Sequence, residues 1–176
     1  MRKLLNSELN RLTDYSFKEA EKTPLIIVLD NIRSQHNIGA VFRTSDAFLI
    51  DSIYLCGITA TPPNAEIHKS ALGAENTVSW KYFKNTIDAL IELKDNGYWI
   101  YSIEQAEGAT DLSKLQLDKD KKYAIIFGNE VKGISQEVVD ASSNCIEINQ
   151  YGTKHSLNIS VTAGIVIWEF FKMLQK

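Results

Sequence analysis

Residues 24–30 read PLIIVLD and residues 123–128 read YAIIFG. Both are unbroken apolar runs, where a strand with one wet face would alternate apolar and polar side chains. Strands of this kind are buried on both faces. They belong to parallel sheets covered by helices on each side. The stretches between and around these runs supply the rest of the pattern. NIGAVFRTSDAFL (37–49) has helical spacing, and SIYLCG (52–57) and TVSWKYF (77–83) read as strands. TPPNAEIHKSALGAE (61–75) reads as a loop with one helical turn. TIDALIELKDNG (86–97) reads as a helix stopped by Gly97, a good C-terminal signal. YWIYSI (98–103) and CIEI (145–148) are further strands, and SQEVVDAS (135–142) is a short helix with Ser135 as its cap. A last helix starts near Ser156. The fold class is therefore α/β, and in such sheets ligands bind beyond the carboxyl ends of the strands.

The chain has 176 residues, 44% hydrophobic and 23% charged, with a formal net charge of −3. One domain spanning 1–176 is expected, with a short N-terminal helical extension at about 1–22. An acidic balance argues against a basic overall field, so any nucleic-acid partner has to be argued from local sites. Cys56 and Cys145 each lie beside an apolar stretch and read as buried thiols. The N-terminus MRKLLNSELNR is too polar for a signal peptide, and Glu169 interrupts the longest apolar run. A soluble cytoplasmic protein is expected. There is no HExxH, paired CxxC or carboxylate cluster, so no metal is expected.

Three loops hold the chemistry-bearing residues. In HNIGAVFRT (36–44), Ile38, Val41, Phe42, Ser45 and Leu49 share one helical face, and Arg43 lies roughly opposite at ~100° per residue. Asn37 is placed to cap this helix, and Gly39 leaves room for a backbone or a ligand. GNEVKG (128–133) follows a strand directly. It lacks the Lys-Ser/Thr of a P-loop and is not GxGxxG. QYGTKHSLNIS (150–160) precedes a helix that is apolar nearly all round. With Ser156 as its cap, the free N–H groups of that helix and the Asn158 amide need partners, from a ligand or from neighbouring carbonyls. His155 and Ser156 are adjacent, so they do not face each other as base and nucleophile. Taken singly, each loop also reads as ordinary connecting structure.

Together, NIGAVFRT, FGNEVKG and IEINQYGTKHSLNIS resemble, in order and approximate spacing, the three signature motifs of the SpoU/TrmH family within the SPOUT superfamily. HKSALGAE is similar to the small-residue segment of that family between the first two. The resemblance spans roughly Pro24 to Phe171. It implies an S-adenosyl-L-methionine-dependent RNA ribose 2′-O-methyltransferase, working as a homodimer. The implied fold is a SPOUT-type parallel sheet flanked by helices, with a C-terminal trefoil knot. It further implies that Ile103, Gly128, Asn129, Gly133, Ile148, Ser156 and Leu157 hold the cofactor in a bent conformation. Arg43 matches the catalytic arginine, and Asn37, Glu130, Ser156 and Asn158 match polar active-site positions. A guanidinium is a reluctant base, so Arg43 is better read as a donor that orients the 2′-oxygen and stabilises charge. One departure stands out: the family often has proline where this chain has Asn149, which leaves the order of that loop open. With about two dozen residues before the first strand, transfer RNA is the expected substrate, a D-loop guanosine first and an anticodon wobble base second. Ribosomal RNA is the alternative. The rival readings are a catalytically silent RNA-binding protein of the same fold and a flavodoxin-like nucleotide or redox protein.

Overall fold

A computed structural model describes residues 1–175. The chain begins with a 3-10 turn at Asn6–Glu8 and helix α1 (Asp14–Glu19). It continues through β1 (Thr23–Asp30), α2 (Gln35–Ala47), β2 (Ile50–Cys56), α3 (Ala65–Ala71), α4 (Ala74–Thr77), β3 (Ser79–Phe83) and α5 (Thr86–Asp95). Then follow β4 (Tyr98–Ile103), β5 (Thr110–Asp111), β6 (Lys122–Phe127), α6 (Gln136–Ala141), β7 (Asn144–Glu147) and α7 (Ile159–Leu174). Among the described residues, seven strands form one sheet in the order β3-β2-β1-β6-β4-β7-β5. Every adjacent pair is parallel.

The unbroken apolar runs lie at the middle of this sheet. Leu25, Ile27 and Leu29 of β1 join Ile125 and Phe127 of β6, Phe42 of α2, and Val166 and Phe170 of α7 in one core. Ile26 and Val28 join Ala124, Ile126, Leu90 and Leu93 of α5, and Val138 of α6 in a second core on the opposite face. Successive side chains point to opposite faces, and both faces are covered, so neither set can be polar. Full burial of each such aliphatic side chain contributes about 1.5–3 kcal/mol.

Four local expectations change. The helix expected from Asn37 begins at Gln35, because the Ser34 hydroxyl caps it by accepting from the Asn37 N–H at 3.2 Å. Asn37 therefore sits inside the helix with its amide free for other work. Residues 61–75 hold most of two short helices rather than one turn. Asn64 caps the first through the N–H groups of Glu66 and Ile67, and Leu72 and Gly73 break the path with φ of 53° and 97°. The last helix is capped by Asn158, whose side chain accepts from the Ser160 N–H, and not by Ser156. Ser135 stands at the start of α6 without a side-chain capping bond. The two-residue strand β5 has no signal strong enough to read. Gly39 meets a neighbouring helix and not a ligand. A Cβ there would lie 2.3 Å from the Ile67 carbonyl oxygen and 2.1 Å from Ser70 Oγ, so α3 packs tightly on α2 only because the side chain is missing.

Candidate active site

The carboxyl ends of β4, β6 and β7 open into a cleft of about 1110 Å³. Two of the segments singled out above, 128–133 and 150–160, contribute to its lining, and the start of α2 reaches them through Asn37. Glu130 is exposed, yet both of its oxygens are occupied. One accepts from the Arg33 N–H at 3.2 Å. The other accepts from the Ser34 N–H at 3.2 Å and from Asn37 Nδ2 at 3.4 Å. Burial pushes its carboxyl up, but the bonds from backbone N–H groups and the Asn37 amide outweigh this and hold it below the ordinary carboxylate range. A carboxylate facing the free N–H groups of a helix start is also favoured by the helix dipole. Asn158 Nδ2 in turn donates to Asn37 Oδ1 at 3.3 Å. The chain Glu130–Asn37–Asn158 thus ties all three loops into one unit.

The loop after β6 closes on itself. Asn129 and Gly133 exchange two backbone bonds, and Asn129 Oδ1 accepts from the N–H groups of Val131 and Lys132 at 3.0 Å each. A Cβ on Gly128 would lie 2.5 Å from the Gly133 carbonyl carbon, so only glycine permits this closure. Gly133 has φ of 67°, and a Cβ there would lie 2.3 Å from a Glu104 carboxylate oxygen. Glu104 accepts from the Ile134 N–H at 3.0 Å and so fastens the loop to the end of β4. Sequence reading missed Glu104, although a carboxylate directly after YWIYSI was a visible signal. The 148–158 loop is exposed for most of its length but held at two points. Asn149 Nδ2 donates to Asp111 Oδ2 at 2.7 Å, and Gln105 Nε2 donates to the His155 carbonyl at 3.0 Å. Asn149 therefore anchors the loop by a side-chain bond that proline cannot make.

Residues 24–168 match the family model described as the SpoU rRNA Methylase family. The chain belongs to this SpoU family. Its relatives include a Staphylococcus aureus (strain MSSA476) protein named as a TrmH family tRNA/rRNA methyltransferase, 33% identical over 155 residues. The match covers 88% of this chain and 61% of that protein, so the chain spans about three fifths of that relative's length. A Borreliella burgdorferi protein named as an uncharacterized tRNA/rRNA methyltransferase is 33% identical over 159 residues, 90% of this chain and 68% of its own. Among solved structures, the A. aeolicus TrmH/SpoU tRNA modifying enzyme aligns with TM-score 0.77 and 27% identity, over 89% of this chain and 78% of its own. The AdoMet-bound rRNA methyltransferase from Sinorhizobium meliloti aligns with TM-score 0.80 over 91% of this chain and 61% of its own. At 24% identity, that likeness speaks for the fold. The flavodoxin-like alternative gives way to the SpoU family.

Within the SpoU frame, the seven positions expected to hold a cofactor, Ile103, Gly128, Asn129, Gly133, Ile148, Ser156 and Leu157, all line the cleft. Glu130 and Asn158 line it as well, and Asn37 bonds to both from just behind it. Arg43 does not line it. It is exposed on α2, as the helical spacing predicts, and among the described residues it has no hydrogen bond or ion pair. The cleft wall carries Glu104, Glu107, Glu130, Asp140 and Glu147 against one cation, Lys132. Apolar Ile103, Ile148 and Leu157 share the same space with residues of the 128–134 loop.

Proposed function

We propose that this chain binds S-adenosyl-L-methionine in the cleft and transfers its methyl group to a ribose 2′-hydroxyl of RNA. The observation that carries this reading is the hydrogen-bonded chain Glu130–Asn37–Asn158, which unites three loops at one strand-end cleft. The lining fits such a cofactor: carboxylates complement its positive groups, and Ile103, Ile148 and Leu157 suit an adenine ring. The cofactor supplies an electrophilic methyl group on a sulfonium. The protein's part is to hold and orient. Glu130 and Asn37 fix Asn158, and Asn158 with Ser156 positions the ribose at the mouth of the cleft. Arg43, with no partner in the protein among the described residues, offers its guanidinium fork to the phosphate and the 2′-oxygen. It acts as a donor to developing negative charge and not as a base.

Transfer RNA is the first substrate to test, because the A. aeolicus relative is named as a tRNA modifying enzyme, and a D-loop guanosine is the first position to map within it. A homodimer belongs to the same reading. Val161, Ile165 and Trp168 form an exposed apolar stripe on α7, 51%, 38% and 45% accessible, at the spacing of one helix face. The trefoil knot implied by the resemblance would be made by the run from β7 through 148–158 into α7. A cytoplasmic location also goes with this reading. Among the described residues, no helix is long and apolar enough to cross a membrane.

The test is labelled-methyl transfer to total RNA from a strain lacking the protein, followed by mapping of the modified nucleotide. Arg43→Ala should keep its affinity for S-adenosyl-L-methionine while transfer falls on the order of 10²–10³-fold. Equal loss of both would remove Arg43 from the proposed role. RNA affinity with no transfer by the unaltered chain would favour the silent RNA-binding reading.

A further inference from the structure

A second cleft, of about 660 Å³, lies away from the one described, between the Pro62–Pro63 turn, α3, α4 and the start of the edge strand β3. Its lining includes Pro63, Asn64, His68, Glu75, Asn76 and Trp80. Of the three tryptophans, Trp168 contacts the rings of Phe48 and Phe171, and Trp99 lies under Lys121. Trp80 has neither an aromatic nor a cationic partner among the described residues, and 37% of it is accessible. Beside it, the buried Glu75 accepts from the Gly73 N–H at 3.0 Å and holds His68 Nδ1 at 2.5 Å. Burial raises the Glu75 carboxyl, but these bonds bring it below the ordinary range. A carboxylate only accepts, so Nδ1 carries the proton in this pair. That leaves Nε2 of an exposed imidazole without a protein partner, able to accept when neutral and to donate when protonated. The Asn76 amide also has no side-chain partner among the described residues.

We propose that this cleft is a nucleobase subsite for the RNA substrate, with Trp80 as the stacking face and His68 Nε2 and Asn76 as readers of the base edge. The inference rests on the RNA reading given above. Aromatic faces bind unpaired bases because every base has a π-face, and polar groups beside the ring read its edge. The local charge permits an anionic chain. Glu75, the one carboxylate among the lining residues, is held by His68, and the neighbouring Glu66 is paired with Lys69 at 2.6 Å. The helix that carries His68 is also tied to the start of α2. Ser70 of α3, two residues from His68, donates to the His36 carbonyl at 2.9 Å, directly before Asn37. A strand of RNA seated with its ribose near Asn158 and an outlying base on Trp80 would run over the exposed Arg33 and His36 of the α2 entry.

The experiment measures binding of unfractionated transfer RNA and of ribosomal RNA fragments to the full chain and to Trp80→Ala, Trp80→Phe, His68→Ala and Asn76→Ala. S-adenosyl-L-methionine affinity and sedimentation are measured alongside. Trp80→Ala should weaken RNA binding on the order of tenfold. Trp80→Phe should retain most of the affinity, and all four variants should bind S-adenosyl-L-methionine as the unaltered chain does. If the unaltered chain binds both RNA and S-adenosyl-L-methionine while Trp80→Ala, His68→Ala and Asn76→Ala match it on RNA, the subsite is overturned and the function stands. If the unaltered chain binds neither, both readings fall. A change of sedimentation in Trp80→Ala would mean that a second copy covers the cleft, and would also overturn the proposal. Should Trp80→Ala fail to fold, His68→Ala and Asn76→Ala decide the matter.

Discussion

Glu130 sits in the short polar loop GNEVKG (128–133) and is exposed. Its carboxylate nevertheless serves as an external cap for α2, through the N–H groups of Arg33 and Ser34, and as the clamp on Asn37. Its carboxyl is held below the ordinary value of 4.5. A group with a depressed folded pKa stabilises the native state fully above the ordinary value and loses that effect as pH falls through the folded one. Glu130→Gln should therefore flatten the decline of thermal stability on the acid side of about pH 4.5, where the unaltered chain loses this contribution. Melting temperatures from pH 7 to pH 3 check this, and parallel curves for the two proteins would refute it. Asn37 carries a related lesson. It was legible as a helix-start residue, but Ser34, three positions earlier, has the better capping spacing, and this frees the Asn37 amide to join Glu130 to Asn158.

At the scale of the element, α2 links the core to the site, and two of its small residues should respond oppositely to the same change. Gly39→Ala adds a favourable helix former, worth about 1 kcal/mol on propensity alone. Its methyl group would nevertheless collide with the Ile67 carbonyl, which is backbone and cannot swing aside. A net loss of about 1–3 kcal/mol is expected. Ser45 is fully buried, and among the described residues its hydroxyl has no partner. Ser45→Ala removes an unsatisfied polar group and should raise stability by about 1 kcal/mol. Denaturant unfolding of both variants measures the pair, and a stabilised Gly39→Ala would show that α3 can move away from α2. The hydrophobic spacing of α2 was plain in the sequence. The tightness of its contact with α3 was not, because a glycine in a helical pattern looks the same whether it faces solvent or another backbone.

At the scale of the whole molecule, α7 is buried through Ala163, Val166, Ile167 and Phe170 and yet presents Val161, Ile165 and Trp168 outward. The near-uniform apolar character of this helix is thus explained on one side by the core and on the other by an uncovered stripe. If a second copy covers the stripe, the protein should sediment as a dimer, and Ile165→Glu should shift it to a monomer with its secondary structure intact. A monomeric unaltered chain would contradict the dimer.

The α/β class, the parallel sheet and most of its strands followed from the sequence alone. Unbroken runs such as PLIIVLD are stable only where both faces of a strand are dry. The three segments were also legible, since their glycines, amides and hydroxyls cluster after strand ends or at the opening of a helix. What only the tertiary structure decided was contact between distant positions. Glu130 meets Asn37 across 93 residues, and Asn158 meets Asn37 across 121. The anchors of the last loop, Asp111 and Gln105, lie far from it in the chain. Periodicity reports which way a side chain points on its own element. Which partner it finds there depends on how the sheet orders its strands, and no local pattern encodes that order.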